Sequence, residues 1–212
     1  MLITRLTKRA TKGRLFSVYI DGTHALDISD AVLLKFGLRT GDEIDEDTIQ
    51  ALKHAESEKQ AQSTAVNYLS YRPRSSKEVL DHLVRKGFSR ELAESIVRHF
   101  KSVSLIHDLE FARMFVRDRI RRKPTGRALL HRQLAAKGVD SEIIDEVLTE
   151  FVSDKDQREA AANLASKRMR LTEQSLAKLD PLKRRQRMTG YLLRHGFSNE
   201  IVQKIIQSLF QR

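Results

Sequence analysis

The feature that most constrains this chain is a phrase written three times. "LVRKGFSRELAESIVRHF" from Leu83 returns as "LAAKGVDSEIIDEVLTEF" from Leu134 and as "LLRHGFSNEIVQKIIQSLF" from Leu192. Each copy sets apolar residues at helical spacing on both sides of a glycine, which reads as helix, turn, helix. Aligning the copies on Gly87, Gly138 and Gly196 places Pro73 opposite Pro124 and Pro181 within one position of the same place. The period is 51 residues and then 58, with the extra seven inside "SKRMRLTEQSLAKLD". Each unit therefore reads as helix, Pro-containing turn, helix, Gly turn, helix.

The local chemistry agrees with that reading. Ser75 to Glu78 has the form of a capping box and opens a helix whose inward face is Val79, Leu80, Leu83 and Val84. Gly87 falls where a left-handed residue closes that helix, and Phe88 stands at the apolar position of a Schellman motif, repeated by Val139 and Phe197. Ser89, Asp140 and Ser198 follow as N-caps, with Glu91, Glu142 and Glu200 next to the positive helix ends. The third helices carry matching apolar rows: Leu92, Ile96, Val97, Phe100; Ile143, Ile144, Val147, Phe151; Ile201, Val202, Ile205, Leu209. One such unit is too small to stand alone, so tandem packing into an elongated, curved array is expected.

The first quarter has a different grammar. Leu15, Phe16, Val18, Tyr19 and Ile20 form a strand-like run ending at Asp21-Gly22, a hairpin-turn pair. This predicts a small antiparallel sheet over residues 2 to 27. Ser29 or Asp30 then caps a short helix through Phe36 closed by Gly37, and acids crowd the next helix start in "DEIDEDTIQALK". The expected layout is a mainly α protein with an N-terminal head containing a β-hairpin at 1–50, then helical repeats at 51–103, 104–153 and 154–212.

Charge narrows the partners. The chain has 212 residues and a formal charge of +11, which favours a polyanion: nucleic acid, nucleoprotein or an acidic protein face. The excess is concentrated, since nine Lys or Arg stand between Arg113 and Lys137 against one acid, Asp118. Arg113, Arg117 and Arg121 recur every fourth residue opposite Phe111, Ala112, Phe115 and Val116, and Arg119, Arg122, Lys123, Arg127 and Arg132 widen the stripe. It reads as a phosphate or acidic-surface contact in preference to a merely solvated face. "KRRQR", with Lys183, Arg184, Arg185 and Arg187, is a second cluster that divides evenly between contact and solvated surface. Lys8, Arg9, Lys12 and Arg14 in the hairpin read as ordinary surface.

The middle unit, "DLEFARMFVRDRIRR" followed by a Pro/Gly turn and "LHRQLAAKGV" with an acid and paired isoleucines after it, resembles the RecX family of bacterial regulators of the RecA recombinase. The flanking repeats and "YIDGTHALDISDAVLLKFGLRTGDEI" are similar to the longer members, so nearly the whole chain is covered. His107 stands where the family often has an acid, while Asp108 remains. The resemblance implies tandem three-helix repeats, no catalytic activity, and binding in the groove of the RecA filament on single-stranded DNA. There such proteins restrain recombination and co-protease function, with consequences for DNA repair and the SOS response. No apolar stretch approaches the length of a membrane span, so no membrane partner is expected, nor any cofactor, and a monomer is taken as the working state.

Other chemistries find little support. The seven histidines, at 24, 54, 82, 99, 107, 131 and 195, show no HExxH or other metal spacing. Neither phosphate-loop signature nor GxSxG occurs, so no nucleotide hydrolysis or serine nucleophile is expected. There is no cysteine, hence no disulfide or thiolate site. A helix-turn-helix reader of bases is disfavoured by the acidic or mixed third helices, and without Trp any direct DNA binding should be modest and salt-sensitive. The start has no continuous apolar stretch of the kind a secretory signal needs, which places the protein in the cytoplasm as an expectation.

Overall fold

The computed structural model describes residues 1–9, 15–177 and 180–210, the side chains of 173–177 excepted. The head is a three-stranded antiparallel sheet in the order β1 (Ile3–Lys8), β2 (Leu15–Ile20), β3 (Thr23–Ser29). Asp21 and Gly22 both take positive φ, 48° and 84°, the turn geometry whose twist matches that of paired strands. Period-two alternation turns Val18, Ile20, Leu26 and Ile28 to the buried face. The sheet runs to Ser29, two residues beyond the expected limit, and Ser29 then caps α1 (Asp30–Phe36) by accepting from the Val32 amide at 3.4 Å. Glu56, only 5% exposed, is held by the Ser29 amide at 2.7 Å and so ties the next helix to the end of β3.

That helix, α2 (Glu46–Ser70), starts on an Asp45 cap and runs unbroken for 25 residues. It supplies Ile49, Leu52 and Ala55 to the head core and goes on to pack against α4 (Arg90–Ser102), so head and first repeat share one helix. The rest of the described chain is helical: α3 (Ser76–Arg85), α5 (Asp108–Arg122), α6 (Arg127–Ala136), α7 (Ser141–Phe151), α8 (Asp154–Ala177), α9 (Pro181–Arg194) and α10 (Asn199–Phe210). These group as α2-α3-α4, α5-α6-α7 and α8-α9-α10. The second trio closes on Phe111, Val116, Leu130, Leu134, Ile144 and Val147, and the third on Ala161, Ala165, Met188, Leu192, Phe197 and Val202. α8 and α9 are longer than α5 and α6, 24 and 14 residues against 15 and 10, which absorbs the longer third period.

The chain divides into two compact units, Met1–Arg72 with Val79–Val103, and Pro73–Glu78 with the residues from Ser104 onward. The first turn of α3 thus belongs with the second unit, and its contacts show why. The Ser75 hydroxyl caps α3, receiving the Glu78 amide at 3.2 Å, and donates to the Lys137 carbonyl at 2.7 Å. Glu78, the acid of the expected capping box, pairs with Lys137. A Cβ on Gly138 would lie 2.6 Å from the Cβ of Lys77. The same joint recurs one repeat on, where Gly126 donates to the His195 carbonyl at 2.8 Å and Ala128 to the Gly196 carbonyl at 3.1 Å. Here backbone lies on backbone: a Cβ on Gly126 would overlap the carbonyl of Gly196, and one on Gly196 would overlap Leu129.

All three glycines close their helices as expected, with φ of 94° at Gly87, 73° at Gly138 and 84° at Gly196. The Schellman bonds follow, from Phe88 to Leu83, Val139 to Leu134 and Phe197 to Leu192. Ser89, Asp140 and Ser198 all cap the helices after them. One expectation fails: Val84 is not an inward residue but 37% exposed. It stands one position after the buried Leu83, at the edge of the apolar arc.

Candidate polyanion-binding surface

The arginine stripe of α5 divides along its length. Arg113 is enclosed by carboxylates, with Glu110 and Glu150 at 2.9 Å and Glu146 at 3.3 Å. The hydrogen bonds it donates to Glu110, then Glu150, push its guanidinium pKa still higher, so it stays charged but is engaged in fixing α5 to α7. Arg117 donates to the Arg113 carbonyl at 3.4 Å and lies 5.7 Å from the centre of the Phe151 ring. Arg119 points inward far enough that its Nε is buried, without a hydrogen-bond partner among the described residues.

The outward cations lie at the far end. Arg121 and Arg122 share Asp118 at 3.5 and 3.6 Å and remain 77% and 73% exposed, so these pairs hold them loosely. Lys123 follows as the exposed C-cap of α5. Across the Pro124-Thr125-Gly126 turn, Arg127 folds back onto the end of α7, donating to the Leu148 carbonyl at 3.3 Å and the Thr149 hydroxyl at 3.0 Å. Arg132 is exposed on α6. The turn is clasped by Gln157, which receives the Arg127 amide at 2.9 Å and donates to the Thr125 carbonyl at 3.3 Å. Sequence gave no sign of that role, because a glutamine on a polar helix looks like any solvated residue.

The second cluster sits on α9. Arg185 donates to the Phe210 carbonyl at 2.9 Å, and Arg184 is half-buried. Lys183 and Arg187 instead line a cleft of about 540 Å³ between α8 and α9, together with Arg168, Arg194, Gln186 and Tyr191. Arg168 stands 5.0 Å over the Tyr191 ring. No carboxylate is among the described lining residues, so four cations face one opening. Sequence reading missed Arg168 and Arg194. Arg194 was within reach, seven residues after Arg187 on the same helix face, whereas Arg168 needed the α8–α9 register.

His107 stands at the N-cap of α5 but makes no side-chain cap bond. Asp108 is the engaged residue, accepting from the Ser76 amide at 2.8 Å and its hydroxyl at 2.5 Å at the start of α3. In the hairpin Arg9 pairs with Asp27, while Lys12 and Arg14 lie outside the described residues. Among the described residues, no helix is long and apolar enough to cross a membrane.

Trios of helices turned at left-handed glycines, with cations gathered on α5 and α9, define a class of helical-repeat protein. Its family is shown by comparison with known proteins. RecX models match in order: the first three-helix domain over residues 61–100, the second over 108–148 and the third over 155–206. The regulatory protein RecX of Bacillus licheniformis is 33% identical over 97% of this chain and 76% of its own length, and that of Bacillus subtilis is 30% identical over 94% and 74%. A crystal structure of a regulatory protein RecX superposes with a TM-score of 0.76 at 28% identity, covering 96% of this chain and 98% of the other. RecX from Lactobacillus salivarius superposes at 0.62, also with 28% identity, over 74% and 99%. The chain belongs to the RecX family of regulatory proteins.

Proposed function

We propose that this chain binds the RecA filament on single-stranded DNA and lowers its recombinase, ATPase and co-protease activities by occupying the groove, without catalysing a reaction and within the cytoplasm. The observation that carries the reading is family membership across 97% of the chain, joined to outward cations on two separate helices. Arg121, Arg122 and Lys123 form one contact region, and Lys183 and Arg187 with Arg168 and Arg194 form another. Arg113 and Arg127 support the first from behind, since their guanidinium groups are engaged with α7. Two sites of moderate strength on one chain gain avidity on a repeating polymer.

A second reading, sequence-independent DNA binding without the recombinase, draws on the four cations that line the α8–α9 cleft, which has no carboxylate among its described lining residues. Binding of the full chain to the filament and to bare single-stranded DNA across salt, alongside recombinase ATP hydrolysis and strand exchange, separates the two. Preferential filament binding with inhibition supports the first. Equal binding to bare strand with untouched recombinase activity leaves only the second. Joint reversal of Arg121 and Arg122 to Glu should weaken filament binding about tenfold or more with the fold intact, because both side chains are exposed. Unchanged affinity removes that region from the interface.

A further inference from the structure

The Gly turns of the second and third repeats are both covered by the first turn of another helix, and in both the acceptor is the carbonyl just before the glycine. Lys137 O receives the Ser75 hydroxyl, and His195 O receives the Gly126 amide. The corresponding group in the first repeat is Lys86 O, which accepts no hydrogen bond among the described residues. A Cβ placed on Gly87 would meet nothing within 4 Å, where those on Gly138 and Gly196 would collide with Lys77 and Leu129.

The apolar surroundings differ in the same sense. Val139 and Phe197, which follow the covered glycines, are 6% and 2% exposed, whereas Phe88 is only half-buried and Val84 beside it is 37% exposed. The first repeat thus presents a turn of the same backbone conformation, with an open acceptor, an apolar rim and an exposed cation at Lys86.

We infer that the Arg85–Ser89 turn is a docking surface for the N-terminal turn of a helix on a partner protein, one carrying a carboxylate at its third position. The internal joint sets that chemistry: Glu78 is the third residue of α3, and it pairs with Lys137, the counterpart of Lys86. A helix start arrives with free amide donors for Lys86 O, and a carboxylate placed there is favoured by both the helix dipole and Lys86. A second copy of this chain is a poorer match through α9, whose third residue is Lys183 and would set like charges together.

The inference rests on the filament being the partner, and it is tested on the full chain. Binding to the RecA filament is measured for wild type, Lys86→Glu, Lys86→Arg and Val84→Asp, with binding to bare single-stranded DNA, thermal melting and sedimentation velocity alongside. Lys86→Glu and Val84→Asp should each weaken filament binding about tenfold with melting unchanged, Lys86→Arg should bind as wild type, and bare-strand affinity should hold. Full filament affinity in both weakened variants overturns the docking turn and leaves the proposed function standing. An equal loss on bare DNA makes Lys86 a phosphate contact and overturns it too, as does wild-type self-association that Lys86→Glu disperses. A wild type that ignores the filament removes the proposed function along with this inference.

Discussion

The Gly138 and Gly196 turns share a backbone conformation and a role, yet they are covered in different ways. At Gly138 the covering helix reaches the turn through side chains: the Ser75 hydroxyl, the Lys77 stem and the Glu78 carboxylate. At Gly196 it arrives as bare backbone, with Gly126 replacing Ser75 and amide donors replacing the hydroxyl. A side-chain joint can be repacked, whereas two glycines in backbone contact leave no atom to move. The Gly87 turn, where an added Cβ would meet no described residue within 4 Å, supplies the reference in which only the φ requirement remains.

Alanine substitution along the three turns puts that comparison at risk. Gly196→Ala combines a left-handed φ with overlap on Leu129 and should lower the unfolding free energy by roughly 3–5 kcal/mol in urea titrations. Gly138→Ala meets the Lys77 stem, which can give way in part, and should cost about 2–3 kcal/mol. Gly87→Ala carries backbone strain alone and should cost about 1–2 kcal/mol. If all three cost the same, coverage of the turns adds nothing to stability. Smallest is Glu78→Gln, which removes the ion pair with Lys137 at a partly exposed position and should cost about 0.5–1 kcal/mol, less at high salt. A Glu78→Gln effect larger than that of Gly87→Ala would mean that this ion pair contributes more than a partly exposed pair should.

The local grammar was legible because each of its signals acts within a few residues. The hairpin pair Asp21-Gly22, the caps at Ser89, Asp140 and Ser198, and the three Gly closures all depend on adjacent backbone alone. Of the candidate site, Arg121 was readable as an outward cation, since helical spacing sets it opposite Ala112, whereas Arg122 falls three turns after Phe111 and is outward at the last residue of α5. The same spacing could not tell that Arg113 meets Glu146 and Glu150, because those acids come from α7 more than thirty residues later.

What the sequence by itself determined is the set of parts: a β-hairpin head, three trios of helices, their caps and closures, and a locally concentrated basic excess. Only the tertiary structure decided what those parts do to one another. It turned Arg113 and Arg127 into fasteners for α7, gathered Arg168 and Arg194 with Lys183 and Arg187 around one cleft, and left one Gly turn of three with no described residue against its glycine. The physical reason is range. Caps, turns and periodicity are set by neighbours along the chain, while the pairing of a charge or the covering of a turn depends on which distant surface arrives beside it.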